Sequence, residues 1–320
     1  MGAPSFARGH MPYDNSRGYF RDETDFPGPR TMAAATEWLE RSARSHDRFM
    51  LFVDEFDPHE PFDTPEPYAS MYDSSWQGPH MIWPPYVRGA LAHGVLTVEQ
   101  AHQIRACYGA KLTMIDAWLG RLLAAIERGG FYDDTAIIVC TDHGHCLGEK
   151  DIWGKPAVPI YEPLGHTPLL IAMPGIPNGN VDALTTNVDI CATLAEIFGV
   201  EMAHRTHGRS MLPLMTGEAH SIRDWAIAGV WGREVHLIDA EAKYARAPAG
   251  DNAPLSLWSN RWSTMPIHHM PQLQMPRRTI APCWTGCRVQ GFRSFVSRTA
   301  PAICCLTGRW VSSAAVTCIA

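Results

Sequence analysis

The run Ala136-Ile137-Ile138-Val139-Cys140 is unbroken in apolar side chains and stops at Thr141-Asp142-His143-Gly144. A strand covered on both faces reads as a continuous apolar run, so this segment calls for a layer of structure on either side. In open α/β sheets, ligands collect beyond the carboxyl ends of such strands. Asp142 and His143 offer a hard oxygen and an imidazole to a cation there, and Gly144 lets the backbone turn tightly. The same four residues also suit a plain turn with a helix cap.

Two more apolar runs, 49–53 and 169–172, read as buried strands, the second closed by Pro174-Gly175. Between them lie helical patterns. Residues 31–45 carry Ala33-Ala34-Ala35, Trp38 and Leu39 on or near one face, with Thr31 as cap. Thr97 followed by Gln100 makes a capping box for a helix over 97–128. Its apolar residues Ile104, Tyr108, Leu112, Ile115, Leu119, Leu122 and Ile126 recur at three and four, and Gly129-Gly130 end it. A further helix over 188–198 stops at Gly199, and 225–230 with 235–238 read as a hairpin across Trp231-Gly232-Arg233-Glu234. The loop from Asp54 to Pro61, then Pro65, Pro67, Pro79, Pro84 and Pro85, keep the chain irregular to about residue 95. Alternating helices and continuous apolar strands predict an α/β layered domain, with a smaller antiparallel portion after it.

The chain has 320 residues, 46% of them hydrophobic and 19% charged, with a formal charge of −6, ordinary for a soluble globular protein and no footprint of a nucleic-acid partner. No apolar run reaches the ~18 residues of a membrane span, and no signal-peptide pattern follows Met1. All 33 carboxylates lie in residues 1–251, while 252–320 hold seven Arg, no acid, and five of the nine cysteines. A basic arm, a disulfide-bearing tail and out-of-frame translation compete to explain that segment. The lack of periodicity and of paired-Cys spacing favours the last; Cys283 and Cys287 have no partner pair for zinc.

After Asp142-His143-Gly144 come Leu147-Gly148-Glu149, Lys155, and a strand opened by Pro168-Leu169. His59 stands in Asp57-Pro58-His59-Glu60-Pro61-Phe62, Asp116 in Ile115-Asp116-Ala117-Trp118-Leu119-Gly120, and Asp189 in Asn187-Val188-Asp189-Ile190-Cys191-Ala192-Thr193. Together, in this order, the five blocks resemble the sulfatase family of the alkaline phosphatase superfamily over roughly residues 30–265. The resemblance implies an alkaline-phosphatase-like layer of helices about a mainly parallel sheet. It divides the chain into a partial catalytic domain (1–220), an antiparallel portion (221–265) and an aberrant or disordered tail (266–320).

The activity it implies is metal-dependent hydrolysis of sulfate esters, on a small-molecule or sugar sulfate. Phosphomonoester, phosphodiester and phosphonate-ester hydrolysis are the alternatives within the superfamily, and a non-catalytic remnant that binds an anion is the alternative outside it. By resemblance Asp142 and His143 are ligands of a divalent metal, Ca2+ first, with Mn2+ or Mg2+ open because an imidazole suits them better. Lys155 is a clamp on the sulfate oxygens, and His59 binds the sulfate or protonates the leaving group, work suited to an imidazole. His145 lines the pocket or caps its loop. The family's nucleophile, a formylglycine matured within Cys/Ser-x-Pro-x-Arg, has no counterpart in these 320 residues. Asp14, Asp22, Glu23 and Asp25 follow no apolar strand, so none replaces the family's N-terminal metal acids. The expectation is therefore a fragment that begins at an internal Met and is inactive alone. Any export signal would precede it, which leaves cytoplasm and periplasm both open, as is the oligomeric state.

Overall fold

The computed structural model describes residues 22–156, 159–230, 234–246, 256–259, 295–296 and 317–319. Helix α1 (Pro27–Arg41) starts with Pro27 at its first position, where a missing N–H costs nothing, so Thr31 sits inside the helix and is not its cap. Strand β1 (Met50–Phe52) follows, then the proline-rich loop, then α2 (Val98–Arg128). The Thr97–Gln100 capping box is formed in both directions, Gln100 N donating to Thr97 Oγ1 at 3.2 Å and Thr97 N to Gln100 Oε1 at 2.9 Å. Strands β2 (Ile137–Cys140), β3 (Cys146–Leu147) and β4 (Trp153–Gly154) lead to a single helical turn, α3 (Glu162–Gly165), and to β5 (Leu169–Ala172). Then come α4 (Asn187–Phe198), α5 (Leu212–Thr216) and the strands β6 (Ala226–Val230), β7 (Glu234–Ile238), β8 (Ala242–Arg246) and β9 (Ser256–Ser259).

The central strands lie between two helical layers. Leu51 of β1 and Ile137 of β2 pack on a core made by α1 and α2, with Met32, Ala35, Leu39, Met114, Trp118 and Leu122 buried in it. Ile138, the next side chain along β2, points to the opposite face and packs with Ile171 of β5, Ile190 of α4, Met215 of α5 and Met211 just before it. The layered α/β class is thus as expected. The direction of its ladder is not: β2 runs antiparallel to β5, and every described strand pairing is antiparallel. Parallel neighbours need a crossover of a dozen or more residues, usually a helix. The chain between β2 and β5 instead folds into the β3–β4 hairpin and one helical turn, which returns it in the opposite sense. Two short strands, β10 (Phe295–Val296) and β11 (Thr317–Ile319), pair with β5 and β1. The rest of the expected tail, 266–320, lies outside the described residues, as does Asp14.

The smaller antiparallel portion is the four-stranded sheet β6-β7-β8-β9, with Ala226 opposite Ile238 in the first hairpin. It meets the main layer through His236, whose Nε2 accepts from Ile160 N at 3.2 Å, and through Lys243, 3.3 Å from Glu162. Among the described residues no helix is long and apolar enough to cross a membrane.

Candidate active site

The N-terminal half of α2 carries a second core in which Ile104, Cys107 and Tyr108 pack with Phe62, Leu96, Leu147 and Trp153. Lys111 lies one turn further along and is buried, a charge within the helix's apolar stripe. Its Nζ is 3.0 Å from Asp57 Oδ1 and 3.5 Å from Asp63 Oδ1, so one ammonium ties down both ends of the loop that holds His59. Burial opposes its charge, but the two carboxylates outweigh that cost and hold its pKa above the usual lysine value. Glu55, also buried beside Asp57, is driven up to about 8 by burial first and that neighbour second.

The other wall is the β3–β4 hairpin, shaped by its own acids. Glu149 Oε2 accepts from Leu147 N at 2.7 Å, and Asp151 accepts from Leu91 N, Ala92 N and Trp153 Nε1 at 2.9–3.1 Å. Arg105 of α2 donates to Leu147 O at 2.7 Å and covers the Trp153 ring. Lys155 leaves this hairpin pointing at the loop.

There it meets His59, Nζ to Nε2, at 3.0 Å. His59 Nδ1 is 2.8 Å from the Glu60 carbonyl, which can only accept, so the proton sits on Nδ1 and Nε2 receives from Lys155. Burial pushes the His59 imidazole below its ordinary value, against the pull of Glu60. Glu60, 2% exposed in its side chain, lies beneath: 3.4 Å from Lys155 Nζ, 3.4 Å from His145 Nε2 and 3.5 Å from His59 Nδ1. Burial alone would raise its carboxyl, but His145, Lys155 and His59 overcome it and hold the pKa at about 2.

Expected site residues separate into two groups. His59 and Lys155 come together and keep 24% and 19% of their side chains open to solvent. His145 is next to them but closed off, 2% exposed, with Nδ1 on the Cys146 carbonyl at 3.0 Å and the rings of Phe62, Tyr86 and Tyr108 around it. It stands against Glu60, closed off from solvent. Asp142 and His143 lie beyond β2, the first exposed and the second half-buried. Asp142 Oδ1 accepts from His143 N at 2.7 Å, and His143 Nδ1 donates to Gly144 O at 2.9 Å. His143 Nε2, on the other side of the ring, is 3.6 Å from Asp142 Oδ2. Asn187, the first residue of α4, holds this turn by donating to the carbonyls of Thr141 and Asp142 at 3.1 and 3.0 Å. Gly144 is required because a Cβ there would stand 1.9 Å from Pro163 O.

Asp142 and His143 bring a carboxylate and an imidazole together at this turn, 3.6 Å apart. Among the described residues no group of three or more His, Cys, Asp or Glu is arranged to hold one. Burial, then the charge of Asp142, raises the Asp54 carboxyl at the end of β1. His166 pairs with Glu162 at 3.2 Å, a packing contact. Sequence patterns did not single out Glu60 or Lys111; the one available signal was a lysine at 111 among Ile104, Tyr108 and Ile115.

The sequence profile of the sulfatase family matches residues 9–200, more than half of the chain. The chain belongs to the sulfatase family. Among the relatives of this sulfatase-family chain is a choline-sulfatase of Rhizobium meliloti, 35% identical over 125 residues, which are 38% of this chain and 24% of that protein. An N-acetylglucosamine-6-O-sulfatase of Bacteroides thetaiotaomicron is 31% identical over 148 residues, 46% of this chain and 26% of that protein. In structure, the chain is similar to a phosphonate monoester hydrolase from Silicibacter pomeroyi, with a TM-score of 0.61, 27% identity, and coverage of 76% of this chain and 55% of that one. The chain spans less than half the length of these curated relatives.

Proposed function

We propose that the Lys155–His59 pair, seated on Glu60, binds the sulfate group of a sulfate ester, and that this chain carries the sulfate-binding part of sulfuric ester hydrolysis of the arylsulfatase type. The observation that supports it most is the 3.0 Å contact between Lys155 Nζ and His59 Nε2 over a buried carboxylate. Cleavage of the ester places negative charge on the leaving oxygen. An ammonium fixed beside it meets that charge without reorganising. In this reading the proton shared by Lys155 and His59 is the one that would pass to the leaving oxygen. The relatives point to small-molecule and sugar sulfates as substrates.

Asp142 and His143 would supply two donors to a divalent cation in this reading, Ca2+ before Mn2+ or Mg2+. Such an ion would add Lewis-acid stabilisation to the ester oxygens. The 320 residues contain no Cys/Ser-x-Pro-x-Arg motif, so we propose that they bind the ester without turning it over.

Calorimetric titration with inorganic sulfate tests the site. Wild type binds, and Lys155→Ala weakens binding at least tenfold, the loss of about one charge-assisted hydrogen bond. Unchanged binding by Lys155→Ala refutes the site. Turnover of p-nitrophenyl sulfate by wild type refutes the inactivity. The likeness to the phosphonate monoester hydrolase favours a second reading, hydrolysis of phosphonate monoesters, and tighter binding of methylphosphonate than of sulfate would select it.

A further inference from the structure

Tyr86 stands with φ at +54°, in the left-handed region where a bulky side chain is an outlier. Its neighbours hold it there. Trp153 N donates to Val87 O at 3.0 Å, Gly89 N donates to Asp151 O at 2.7 Å, and Arg88 bridges Ile152 across the same edge. The segment after the prolines is therefore clamped along the hairpin that ends in Lys155. Strain of this kind costs on the order of 1–3 kcal/mol and persists only where its surroundings over-determine it, often at a ligand clamp.

The clamp sets the ring in one place. It lies on Gly154, where a Cβ would come within 2.8 Å of Tyr86 Cδ2, so only a glycine before Lys155 lets the ring approach. Gly154 itself has φ +77°, which a glycine adopts freely. The ring meets His145 edge-on, with centroids 6.3 Å apart and planes at 85°. Packed on the hairpin side of the Lys155–His59–Glu60 cluster through Gly154 and His145, Tyr86 stays 37% exposed. Held partly in solvent by a strained backbone, one residue from the proposed sulfate clamp, this ring has surface left to offer a ligand.

We infer that Tyr86 is the platform for the leaving group: its ring stacks against the flat face of a ring-bearing sulfate ester, sugar or aryl, while Lys155 and His59 hold the sulfate. This rests on the sulfate-binding reading above and adds the class of substrate. Selection for rings follows because a tyrosine face gains most from a flat partner. A compact ammonium would use the same face through cation–π attraction, and the test separates the two.

The test titrates wild type, Tyr86→Phe and Tyr86→Ala by calorimetry, with calcium present, against inorganic sulfate, p-nitrophenyl sulfate, glucosamine 6-sulfate and choline sulfate; circular dichroism checks that each variant is folded. Tyr86→Phe keeps the ring and is expected to match wild type throughout. Tyr86→Ala is expected to lose about tenfold for the two ring-bearing esters and less than twofold for inorganic sulfate and choline sulfate. Equal losses for all four ligands would mean that Tyr86 only covers His145, and would overturn the inference. Larger loss for choline sulfate overturns it in favour of a cation platform. Sulfate binding by wild type, with ring esters indifferent to Tyr86→Ala, removes the platform and leaves the sulfate site intact. A wild type that takes up none of the four overturns both.

Discussion

Replacing Glu60 by glutamine keeps the shape of the side chain and removes its charge from beneath Lys155, His59 and His145. The carboxyl has a pKa of about 2 in the folded protein against 4.5 for the free side chain. A shift of about 2.5 units, at 1.36 kcal/mol per unit, corresponds to roughly 3 kcal/mol of stability from the ionised form. Because the folded value is the lower one, that stability is fully present above pH 4.5 and is lost as pH falls toward 2. Burial makes solvent screening small, since the side chain is 2% exposed. Urea unfolding of wild type and Glu60→Gln, followed by tryptophan fluorescence from pH 7 down to 3, reads this directly. The variant is expected to be roughly 3 kcal/mol less stable at pH 7, with the gap narrowing below about pH 4.5. A gap that is absent at neutral pH, or that stays constant across the range, would refute the claim that Glu60 acts as the shared counter-ion.

Glu55 behaves in the opposite sense: its folded value of about 8 means the folded state holds the proton more tightly. Its contribution is complete below pH 4.5 and is lost as pH rises toward 8, on the order of 1 kcal/mol per pH unit. Glu55→Gln is therefore expected to flatten the decline of wild-type stability between pH 5 and 8, measured as urea midpoints; a parallel decline in the variant would contradict it. Thr97→Ala removes the side-chain half of the α2 capping box and is expected to cost about 1 kcal/mol in thermal unfolding.

Helix α2 was legible in detail because its signals are local: a cap, a three-and-four spacing, and two glycines to end it. The start of α1 was not, because Pro27-Gly28-Pro29 looks like a loop until one notes that a first-turn proline loses no hydrogen bond. The runs at 137–140 and 169–172 announced strands but carried no information on direction. That was fixed by the hairpin and helical turn between them, whose folding depends on Glu149 and Asp151 turning inward onto backbone N–H groups. In the site, His59 and Lys155 were reached by their motifs. Glu60 was not, since a glutamate between a histidine and a proline reads as a solvated loop residue until Lys155 arrives from far along the chain. Lys111 has the same character: a charge in a helix stripe becomes intelligible only once Asp57 and Asp63 are seen above it.

His59 and Lys155 are 96 positions apart, and nothing local to either brings them together. Each is delivered by a separate loop braced on α2, one through Lys111 and the other through Arg105. A peptide copied from either loop would carry half of the cluster and none of its geometry. The Lys155–His59 contact, and with it the sulfate affinity proposed for it, is thereby a property of topology. It comes into being in the step that closes both loops on one helix, and it would report that step in a refolding experiment as directly as any probe of secondary structure reports the helix.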